Sequence, residues 1–386
     1  MAWDSLTPEQ RGIRDLVRSL AREHIAPRAA EIDESHEFPW DVVELFREHG
    51  LFGLFLDEQE GGVGAGQLAA LIAIEEVSRV CASSGIILAV QDLGTLALKL
   101  SGSADQKRRY LAKLASGEWL GAYALTEAGS GSDSAAMRTT ARREGDEYVL
   151  DGGKRFITNA GVAKLYTVFA KTDPSARHKG ISAFLVEAET PGFSVSRLEP
   201  KMGIAGSTTG ELVFDGARVP LENCLGDEGT GFVLAMRVLD RSRAGVAAQA
   251  LGIAQGAVDY ALEYAKSRET MGRPIVQHQL IAAKLADMET KTEAARGLLY
   301  RFGRMVDDGV PELELTKASA MAKLYCGDVA MEVATDAVQI LGGYGYIKEY
   351  PVERFMRDAK ITQIYEGTQE IQRLVIAREM VKELRG

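Results

Sequence analysis

The stretch "EYVLDGGKRFITNAG", Glu147–Gly161, decides the fold class because the periodicity of the chain changes there. Two strand-like runs meet at Asp151–Gly153, and an Asp-Gly-Gly sequence between such runs is a signal for a hairpin turn. Further β-rich runs, bounded by glycine and proline, continue to about Leu225. We therefore expect a middle β-sheet or barrel domain over residues 118–225.

Helical periodicity occupies both flanks of this β region. In "TPEQRGIRDLVRSLAREHIAP", Thr7 stands as an N-cap, Pro8 takes the first helical position and Gln10 completes a capping box. Apolar residues then recur at helical spacing, and residues 1–117 form a predicted all-α domain. Three long Ala-rich helical runs follow the β region and indicate an up-down bundle over residues 226–386. The order α, β, α predicts an α+β fold rather than a Rossmann fold.

The composition is that of a globular protein with a full core, since 46% of the 386 residues are hydrophobic and 26% are charged. The formal net charge of −10 argues against nucleic acid or an anionic membrane surface as the main partner. The N-terminus is too polar for a secretory signal, and we find no apolar run of membrane-spanning length.

Cysteine, histidine and glycine usage exclude several classes of site. The cysteines form no CxxC pair and predict a reducing cytoplasm; they are Cys81, Cys224 and Cys326. The five histidines show no HxxxH spacing, so we predict no metal site. The glycine-rich stretch Glu60–Gln67 has Gln67 where a dinucleotide loop requires its last glycine, and no Walker-type phosphate loop occurs.

Two motifs in the β region are suited to a flat polar ligand. "YALTEAGSGSD", Tyr123–Asp133, ends a strand in small hydroxyl residues whose backbone N–H groups could hold a polar ring or a phosphate. In "KRFITNAG", Phe156 and Thr158 share one side of a strand, where a ring and a hydroxyl could shield and bind a heterocycle. The first pattern is also typical of a surface hairpin loop, and the second is also typical of a half-buried strand.

Two motifs in the helical region gather further donors. "SRETMGRPIVQHQ", Ser267–Gln279, includes Arg268, which could pair with a pyrophosphate, although a solvated loop has the same composition. "QILGGYGY", Gln339–Tyr346, ends the third long helix at two glycines. These permit either a close backbone approach or a left-handed cap.

A single acid, Glu366, lies in "KITQIYEGTQEIQR" between a tyrosine and a glycine. One interpretation is a helix start, in which Gly367 and Thr368 supply the turn and cap and the acid lies near the positive helix end. The other is a general base whose pKa is raised by apolar neighbours such as Ile361 and Ile364. This stretch alone does not decide between them.

These motifs together resemble the acyl-CoA dehydrogenases, most closely the short- and medium-chain type. The resemblance runs from the Thr7 helix to Ala377, with five motifs in matching order and spacing. It implies a helical domain, a β domain and a C-terminal four-helix bundle, assembled as a homotetramer that binds FAD. Phe156 stands where many members have tryptophan, and Ala128 stands where proline often follows the glutamate.

The resemblance implies a set of FAD-binding positions in four groups. The first β loop contributes Tyr123, Leu125, Thr126, Gly131 and Ser132, and the next strand contributes Phe156, Ile157 and Thr158. The pyrophosphate and adenine side is expected to meet Arg268, Thr270, His278 and Gln279. A neighbouring subunit is expected to contribute Gln339, Gly342 and Gly343, and Thr368 should also lie near the flavin.

Glu366 matches the catalytic base of the family. Some members carry the base on a bundle helix instead, and the matching position in "LDRSRAG" is Ser242, which cannot serve. The substrate positions implied by the resemblance are Ser132, Asp240, Arg243, Tyr365 and Gly367. For Arg243, a salt bridge within the bundle is the alternative interpretation.

The implied reaction is the FAD-dependent α,β-dehydrogenation of an acyl-CoA thioester to a trans-2-enoyl-CoA. Its place would be fatty acid β-oxidation in the cytoplasm, with electron transfer flavoprotein as the electron acceptor. Two alternatives stay open: an acyl-CoA oxidase that passes electrons to oxygen, and a helical-bundle binding protein without catalytic activity. The sequence does not reveal the length or branching of the acyl chain.

Overall fold

The computed structural model describes residues 6–384, so part of the polar N-terminus discussed above lies outside the described residues. The first part of the chain is helical, as predicted. Its α-helices are α1 Pro8–Leu20, α2 Ala29–Ser35, α3 Trp40–Glu48, α4 Gln67–Ser78, α5 Ala82–Ser101 and α6 Ala104–Ala115. The predicted capping box begins α1, because Thr7 Oγ1 accepts from the Gln10 backbone N–H at 3.1 Å while Gln10 Oε1 accepts from Thr7 at 3.0 Å.

Helix α5 corrects one expectation, because by length and composition it could cross a membrane. However, 89% of its apolar window is buried inside the protein. It packs against α4, α6 and α7 and against the first strand of the β region. Its apolar character is therefore that of a core helix surrounded by other elements.

The middle part forms a mixed sheet. Its strands are β1 Gly121–Ala124, β2 Thr140–Glu144, β3 Glu147–Thr158, β4 Leu165–Lys171, β5 Ile181–Glu187, β6 Phe193–Leu198, β7 Thr209–Pro220 and β8 Cys224–Leu225. The order across the sheet is β6-β7-β3-β2-β4-β5-β8, and β1 pairs in parallel with β4. A separate small sheet pairs β9 Glu269–Thr270 with β10 Arg273–Pro274.

The predicted hairpin at Asp151–Gly153 is wrong. Residues 147–158 form one continuous strand, and the turn lies earlier, between Glu144 and Glu147 of paired strands β2 and β3. Gly152 has φ +140° and marks a shift in register against β7. A Cβ on Gly152 would lie 2.8 Å from the Cα of Thr139, so this glycine serves a bulge with a close backbone approach.

A second irregularity in β3 lies between Lys154 and Ile157, where the register against β7 shifts again. Phe156 within it has φ +59°, which is rare for a bulky residue. Its side chain is 59% exposed, while that of Ile157 is buried. Such bulges change the direction of side chains, and this one leaves an aromatic ring on the surface of the sheet.

The last part of the chain is a helical bundle. It contains α7 Gly231–Ser267, α8 Gln279–Asp307, α9 Glu312–Leu341, α10 Val352–Ile361 and α11 Gln369–Glu383. Helix α7, with 37 residues, packs against α8, α9 and α10 and also against α4 and α5 of the first part. The predicted domain borders after residues 117 and 225 fall in connecting segments and stay predictions.

The cysteines, all within the described part of the chain, are free thiols. Cys81 and Cys326 are buried, and Cys224 is half-buried. Burial raises the pKa of each thiol, to about 11 for Cys224.

Candidate active site

Glu366 lies in the turn between α10 and α11, in an unusual backbone conformation. Glu366 has φ +51° and Gly367 has φ +90°, so two consecutive residues occupy the left-handed region. That conformation carries a cost for a residue with a side chain, and such strain is concentrated at functional sites. Thr368 then caps α11 by accepting from the Ile371 backbone N–H at 3.4 Å. Both interpretations of the sequence therefore concern the same residue, which precedes a helix start and holds a strained position.

Two buried side chains hold this turn from α9 and α11. Lys323 Nζ donates to the Gly367 carbonyl at 2.6 Å. Gln372 Nε2 donates to the carbonyls of Glu366 at 3.2 Å and Gly367 at 3.0 Å. The φ of +90° at position 367 favours glycine, and a Cβ there would also displace the Gln372 amide, since it would lie 2.6 Å from Gln372 Nε2.

The Glu366 carboxylate faces α7. Its Oε2 accepts a hydrogen bond from Ser242 Oγ at 2.8 Å. Desolvation raises the pKa of Glu366 to about 7, and the negative charge of Asp92 adds to the rise. The hydrogen bond from Ser242 and the positive charges of Lys323 and Arg243 lower the pKa and partly offset this effect. A carboxyl group with a pKa near neutrality is suited to general acid–base chemistry.

The residues beside Glu366 also contact the bundle. The Tyr365 hydroxyl donates to the side-chain amide oxygen of Gln249. Arg243 is buried and pairs with Asp240 at 2.6 Å, as the alternative interpretation of a bundle salt bridge requires. Asp240 also accepts from Thr316 Oγ1 at 2.7 Å. Arg243 Nε has no hydrogen-bond partner among the described residues, which leaves one donor for a ligand.

The two predicted flavin motifs of the β region lie side by side. The Arg155 backbone N–H donates to the Thr126 carbonyl at 2.8 Å. Lys154, which is fully buried, donates to the Leu125 carbonyl at 3.2 Å and pairs with Glu127 at 2.8 Å. Glu127 in turn accepts backbone N–H groups from residues 138 and 139 at 2.6 and 3.0 Å. The loop after β1 is therefore fixed against the end of β3, where Phe156 is exposed.

The remaining predicted residues of these motifs differ in exposure. Gly131 and Ser132 are exposed at the tip of the loop, Thr126 and Thr158 are half-buried, and Leu125 is buried. Ile157 points into the core of the sheet. The exposed and half-buried members are accessible to a ligand, whereas Leu125 and Ile157 can offer a ligand little beyond their backbone groups.

Tyr123 links the β motifs to Glu366 through α7. Its hydroxyl donates to the Ala235 carbonyl at 3.4 Å, and Ser242, the partner of Glu366, is seven residues further along the same helix. Residues seven apart lie on one helix face about two turns apart, roughly 10 Å along the axis. The negative charge of Glu366 also contributes to the raised pKa of Tyr123, after burial. The end of β1 and the Glu366 carboxylate therefore border one region along α7.

A second group of predicted residues lines a cavity of about 610 Å³ at the C-terminal end of α7. Arg268, Thr270 and His278 line it together with Gly342 and Gly343. Arg268 packs over the Tyr344 ring at 5.4 Å, and Thr270 Oγ1 lies 3.2 Å from His278 Nε2. Gln279 and Gln339 are exposed and are not among the residues lining this cavity.

Within one chain, the residues around Glu366 lie far from the residues that line this cavity. Ser242, beside Glu366, and Ser267, beside Arg268, are both in α7. The rise of an α-helix places them roughly 37 Å apart along the axis. Arg268, Thr270 and His278 line the same cavity as Gly342 and Gly343, and the expectation that Gln339, Gly342 and Gly343 come from a neighbouring subunit stays a prediction.

The comparisons with known proteins agree with this geometry along the chain. Three family models match in order: the N-terminal domain of acyl-CoA dehydrogenase over residues 7–118, its middle domain over 122–217 and its C-terminal domain over 229–381. An acyl-CoA dehydrogenase of Bacillus subtilis is 49% identical, over 97% of this chain and 99% of the relative.

Solved structures give the same result. Butyryl-CoA dehydrogenase from Megasphaera elsdenii superposes with a TM-score of 0.95 and 43% identity, covering 98% of this chain and 99% of that one. A chain solved in work on the electron transferring flavoprotein of Acidaminococcus fermentans gives a TM-score of 0.96 and 46% identity, covering 98% and 99%. The fold and the site define a flavoprotein oxidoreductase. More particularly, the chain belongs to the acyl-CoA dehydrogenase family, whose members depend on FAD.

The residues of this chain fit FAD. The exposed ring of Phe156 and the half-buried hydroxyls of Thr126 and Thr158 offer a flat apolar surface with polar groups beside it. The cavity at the far end of α7 offers a guanidinium for phosphate groups, and side-chain atoms added at Gly342 or Gly343 would extend into open space. Its volume is within the range of small-molecule sites.

Sequence reasoning missed the side chains that support the base. The sequence predicts no role for Lys323, Gln249 or Gln372, and it identifies Ser242 only as a position that carries the base in other members of the family. Lys323 contacts Gly367 across 44 positions, and Ser242 contacts Glu366 across 124. One signal was available, because lysine and glutamine at apolar positions of Ala-rich helices indicate a buried polar contact.

Proposed function

We propose that this enzyme oxidises short-chain acyl-CoA thioesters to trans-2-enoyl-CoA, with Glu366 as the base that removes the α-proton. The observation that carries the proposal is the Glu366 carboxylate. It lies in a strained turn, accepts from Ser242 at 2.8 Å and has a pKa raised to about 7 by desolvation. A helix start requires none of these features.

The chemistry explains why such a carboxylate is useful. An α-proton of a thioester is weakly acidic, so the base must be more basic than an exposed glutamate. Desolvation supplies that basicity, and Ser242 keeps the carboxylate oriented along α7. Bound FAD supplies the redox chemistry by accepting the β-hydride. Tyr123 at the end of β1 and the Glu366 carboxylate both contact α7, and the loop after β1 is bonded to β3 beside Phe156, which fits that division of roles.

We propose butyryl-CoA and similar short acyl chains as substrates, since the similar structure from Megasphaera elsdenii is a butyryl-CoA dehydrogenase. Arg243, with its unpartnered Nε, is a candidate contact for the thioester ligand. Asp240 orients Arg243, while Ser132, Tyr365 and the backbone of Gly367 are the other proposed contacts.

We propose that each FAD contacts two subunits of a homotetramer. The roughly 37 Å between Ser242 and Ser267 exceeds the span of one FAD molecule. Residues of both groups can therefore contact the same FAD only if they come from different chains. On this proposal a neighbour contributes Arg268, Thr270 and His278 together with Gly342 and Gly343, and Gln279 and Gln339 lie at the edge of that contact.

We propose electron transfer flavoprotein as the acceptor of the electrons and fatty acid β-oxidation in the cytoplasm as the setting. The similarity to a chain from the Acidaminococcus fermentans flavoprotein work supports the first. An oxidase would instead consume oxygen at each turnover. Steady-state rates with purified electron transfer flavoprotein, with air-saturated buffer and with neither distinguish these acceptors; rapid turnover on oxygen alone would contradict our assignment.

The test of the base is the Glu366→Gln variant. Glutamine keeps the shape and some hydrogen bonding of glutamate but cannot accept the α-proton, so we expect flavin reduction to fall by ~10²–10⁴-fold or more. The measurement is anaerobic stopped-flow bleaching of flavin absorbance on mixing with butyryl-CoA. The variant should keep its yellow FAD, because position 366 does not hold the cofactor in this proposal.

The matched control is Glu370→Gln, an exposed glutamate four residues away on α11. It should bleach its flavin at the wild-type rate. Wild-type bleaching in the Glu366→Gln variant, with FAD bound, would remove Glu366 from the mechanism.

A further inference from the structure

We infer that Lys323 is the positioning residue of the catalytic turn, holding Glu366 and Gly367 in their left-handed conformation and placing a positive charge opposite the base. This inference rests on the proposed role of Glu366. Lys323 lies on α9, outside every motif considered above.

The contacts of Lys323 are those of a built site. Its side chain is fully buried, and Nζ donates to the Gly367 carbonyl at 2.6 Å and to Gln369 Oε1 at 3.2 Å. Both acceptors are neutral. A buried ammonium group is costly unless a negative charge lies near it, so these two hydrogen bonds do not account for its presence.

The charges around Lys323 identify its partner. Burial lowers its pKa to about 8, and Glu366 is the strongest charge acting in the opposite direction, ahead of Asp328 and Glu370, while Arg243 adds to the lowering. In return, the charge of Lys323 lowers the pKa of Glu366, and it does so more strongly than Arg243. Lys323 and Glu366 therefore form an electrostatic pair in which the lysine contacts the backbone of the turn instead of the carboxylate.

This arrangement has a mechanistic consequence. A carboxylate desolvated by apolar neighbours alone would be protonated at neutral pH and could not act as a base. Lys323 opposes that effect without a direct hydrogen bond that would occupy the carboxylate oxygens. It therefore limits the rise in the pKa of the base to about 7, while its contact with Gly367 keeps the turn in place.

Gln372 allows the two effects to be separated. Its amide donates to the same turn, at the carbonyls of Glu366 and Gly367, but it is neutral. Removing Gln372 loosens the turn without removing a charge. Removing Lys323 does both.

The experiment compares Lys323→Met with Gln372→Leu in the FAD-loaded enzyme. The measurement is the acid limb of the pH profile of kcat/KM with butyryl-CoA. Since a nearby opposite charge lowers a carboxyl pKa, typically by about one or more, we expect Lys323→Met to move the limb upward by about one pH unit. Gln372→Leu should lower kcat and leave the limb where it is. An unmoved limb in Lys323→Met, or an equal shift in both variants, would overturn the inference.

A second readout uses no turnover. The infrared carboxyl band of Glu366, isolated by subtracting the Glu366→Gln spectrum, reports its protonation directly. The midpoint of this band should lie near pH 7 in the wild type and at a higher pH in Lys323→Met, because the carboxylate then lacks the opposite charge. If Lys323→Met fails to fold, the neutral variant Lys323→Gln takes its place, and an unchanged midpoint contradicts the inference.

The outcomes also separate this inference from the proposed function. If Glu366→Gln bleaches its flavin normally, Glu366 is not the base and the proposed function fails. If Glu366→Gln is inactive but the acid limb and the carboxyl band are the same in the Lys323 variants as in the wild type, only the role of Lys323 fails.

Discussion

At the scale of single residues, the chemistry depends on how few polar groups surround Glu366. Among the hydrogen bonds of the described residues, Ser242 is the one side chain that contacts the Glu366 carboxylate, and the charge of Lys323 acts on that carboxylate across the turn. The resulting pKa near 7 places the ionisation of the base within the physiological range. Small changes in neighbouring charge should therefore alter the activity at constant pH.

The pH dependence of the wild type follows from that value. Glu366 must be ionised to accept a proton, so kcat/KM should fall about tenfold per pH unit below pH 7 and level off above it. The charge of Asp92 raises the pKa of Glu366, so Asp92→Asn should move the acid limb downward. Initial rates between pH 5 and 9 in buffers of constant ionic strength test both expectations. An acid limb near pH 4.5 would mean that the carboxyl is solvated.

The 2.8 Å contact between Ser242 and Glu366 predicts that the base can be moved. In Glu366→Gly with Ser242→Glu, a carboxylate on α7 would lie beside the vacated position, and glycine would relieve the strained φ of +51°. We expect this double variant to recover part of the flavin reduction that Glu366→Gly loses. Stopped-flow bleaching of both variants with butyryl-CoA checks this, and equal rates would show that α7 cannot supply the base.

The sequence was sufficient to single out Glu366 as the candidate base, which stays a prediction, but insufficient to predict its environment. The acid lies in a local motif, with its glycine and its helix cap within two residues. The residues that set its pKa lie on α5, α7 and α9, and only the packing of those helices brings them together. Arg243 shows the same limit, because sequence alone could not distinguish the salt bridge with Asp240 from a ligand contact.

At the scale of elements, strand β3 and the loop after β1 act as one unit. Lys154 and Glu127 join them below the surface, while the bulge in β3 leaves Phe156 exposed above it. The sequence predicted β structure here but placed a hairpin at Gly152. An Asp-Gly-Gly sequence is compatible with a turn and with a bulge, and the close approach to Thr139 that requires the bulge is not visible in sequence.

The Lys154–Glu127 pair should be essential for this unit. Lys154→Met leaves a buried carboxylate without its cation, and removing one partner of a buried pair costs roughly 3–5 kcal/mol. We expect a lower unfolding temperature and weaker FAD retention, measured by thermal denaturation and by flavin absorbance after gel filtration. Adding Glu127→Gln should recover part of the loss, because the remaining partner is then neutral.

The control for that prediction is Lys164→Met, which breaks the exposed pair with Glu189. Exposed pairs contribute about 0–1 kcal/mol, so the unfolding temperature should barely change. If Lys154→Met were no more harmful than Lys164→Met, the buried pair would not hold the loop.

At the scale of the whole molecule, the length of α7 sets the distance between the two groups of predicted site residues. Its 37 residues run from the region of Glu366 to the cavity with Arg268, and this length is the basis of our proposal that each FAD contacts two chains. The order of domains was predictable because the periodicity changes twice along the sequence. The distance between the Glu366 region and the Arg268 cavity was not predictable from the sequence. The resemblance assigned Arg268 and Gly343 to different groups, and only the structure shows that they line one cavity.

Shared sites predict complementation between two damaged chains. Glu366→Gln disables the base, and Arg268→Ala removes the guanidinium from the distant cavity. When the two variants are co-expressed with different tags, mixed oligomers should contain sites with both groups intact, and dehydrogenase activity should exceed that of either variant alone. Tandem affinity purification followed by the butyryl-CoA assay measures this. Mixed oligomers without any gain would mean that each site is formed by one chain.

The three free cysteines have a practical consequence for labelling. Cys81 and Cys326 are buried, and burial raises the pKa of the half-buried Cys224 to about 11, so thiolate is scarce at neutral pH. Maleimide dyes should therefore react slowly with the native protein. One cysteine introduced at an exposed position, such as Leu313 near the start of α9, would carry a fluorophore almost alone. Energy transfer between such dyes on neighbouring subunits could then follow assembly in real time, without deleting any native thiol.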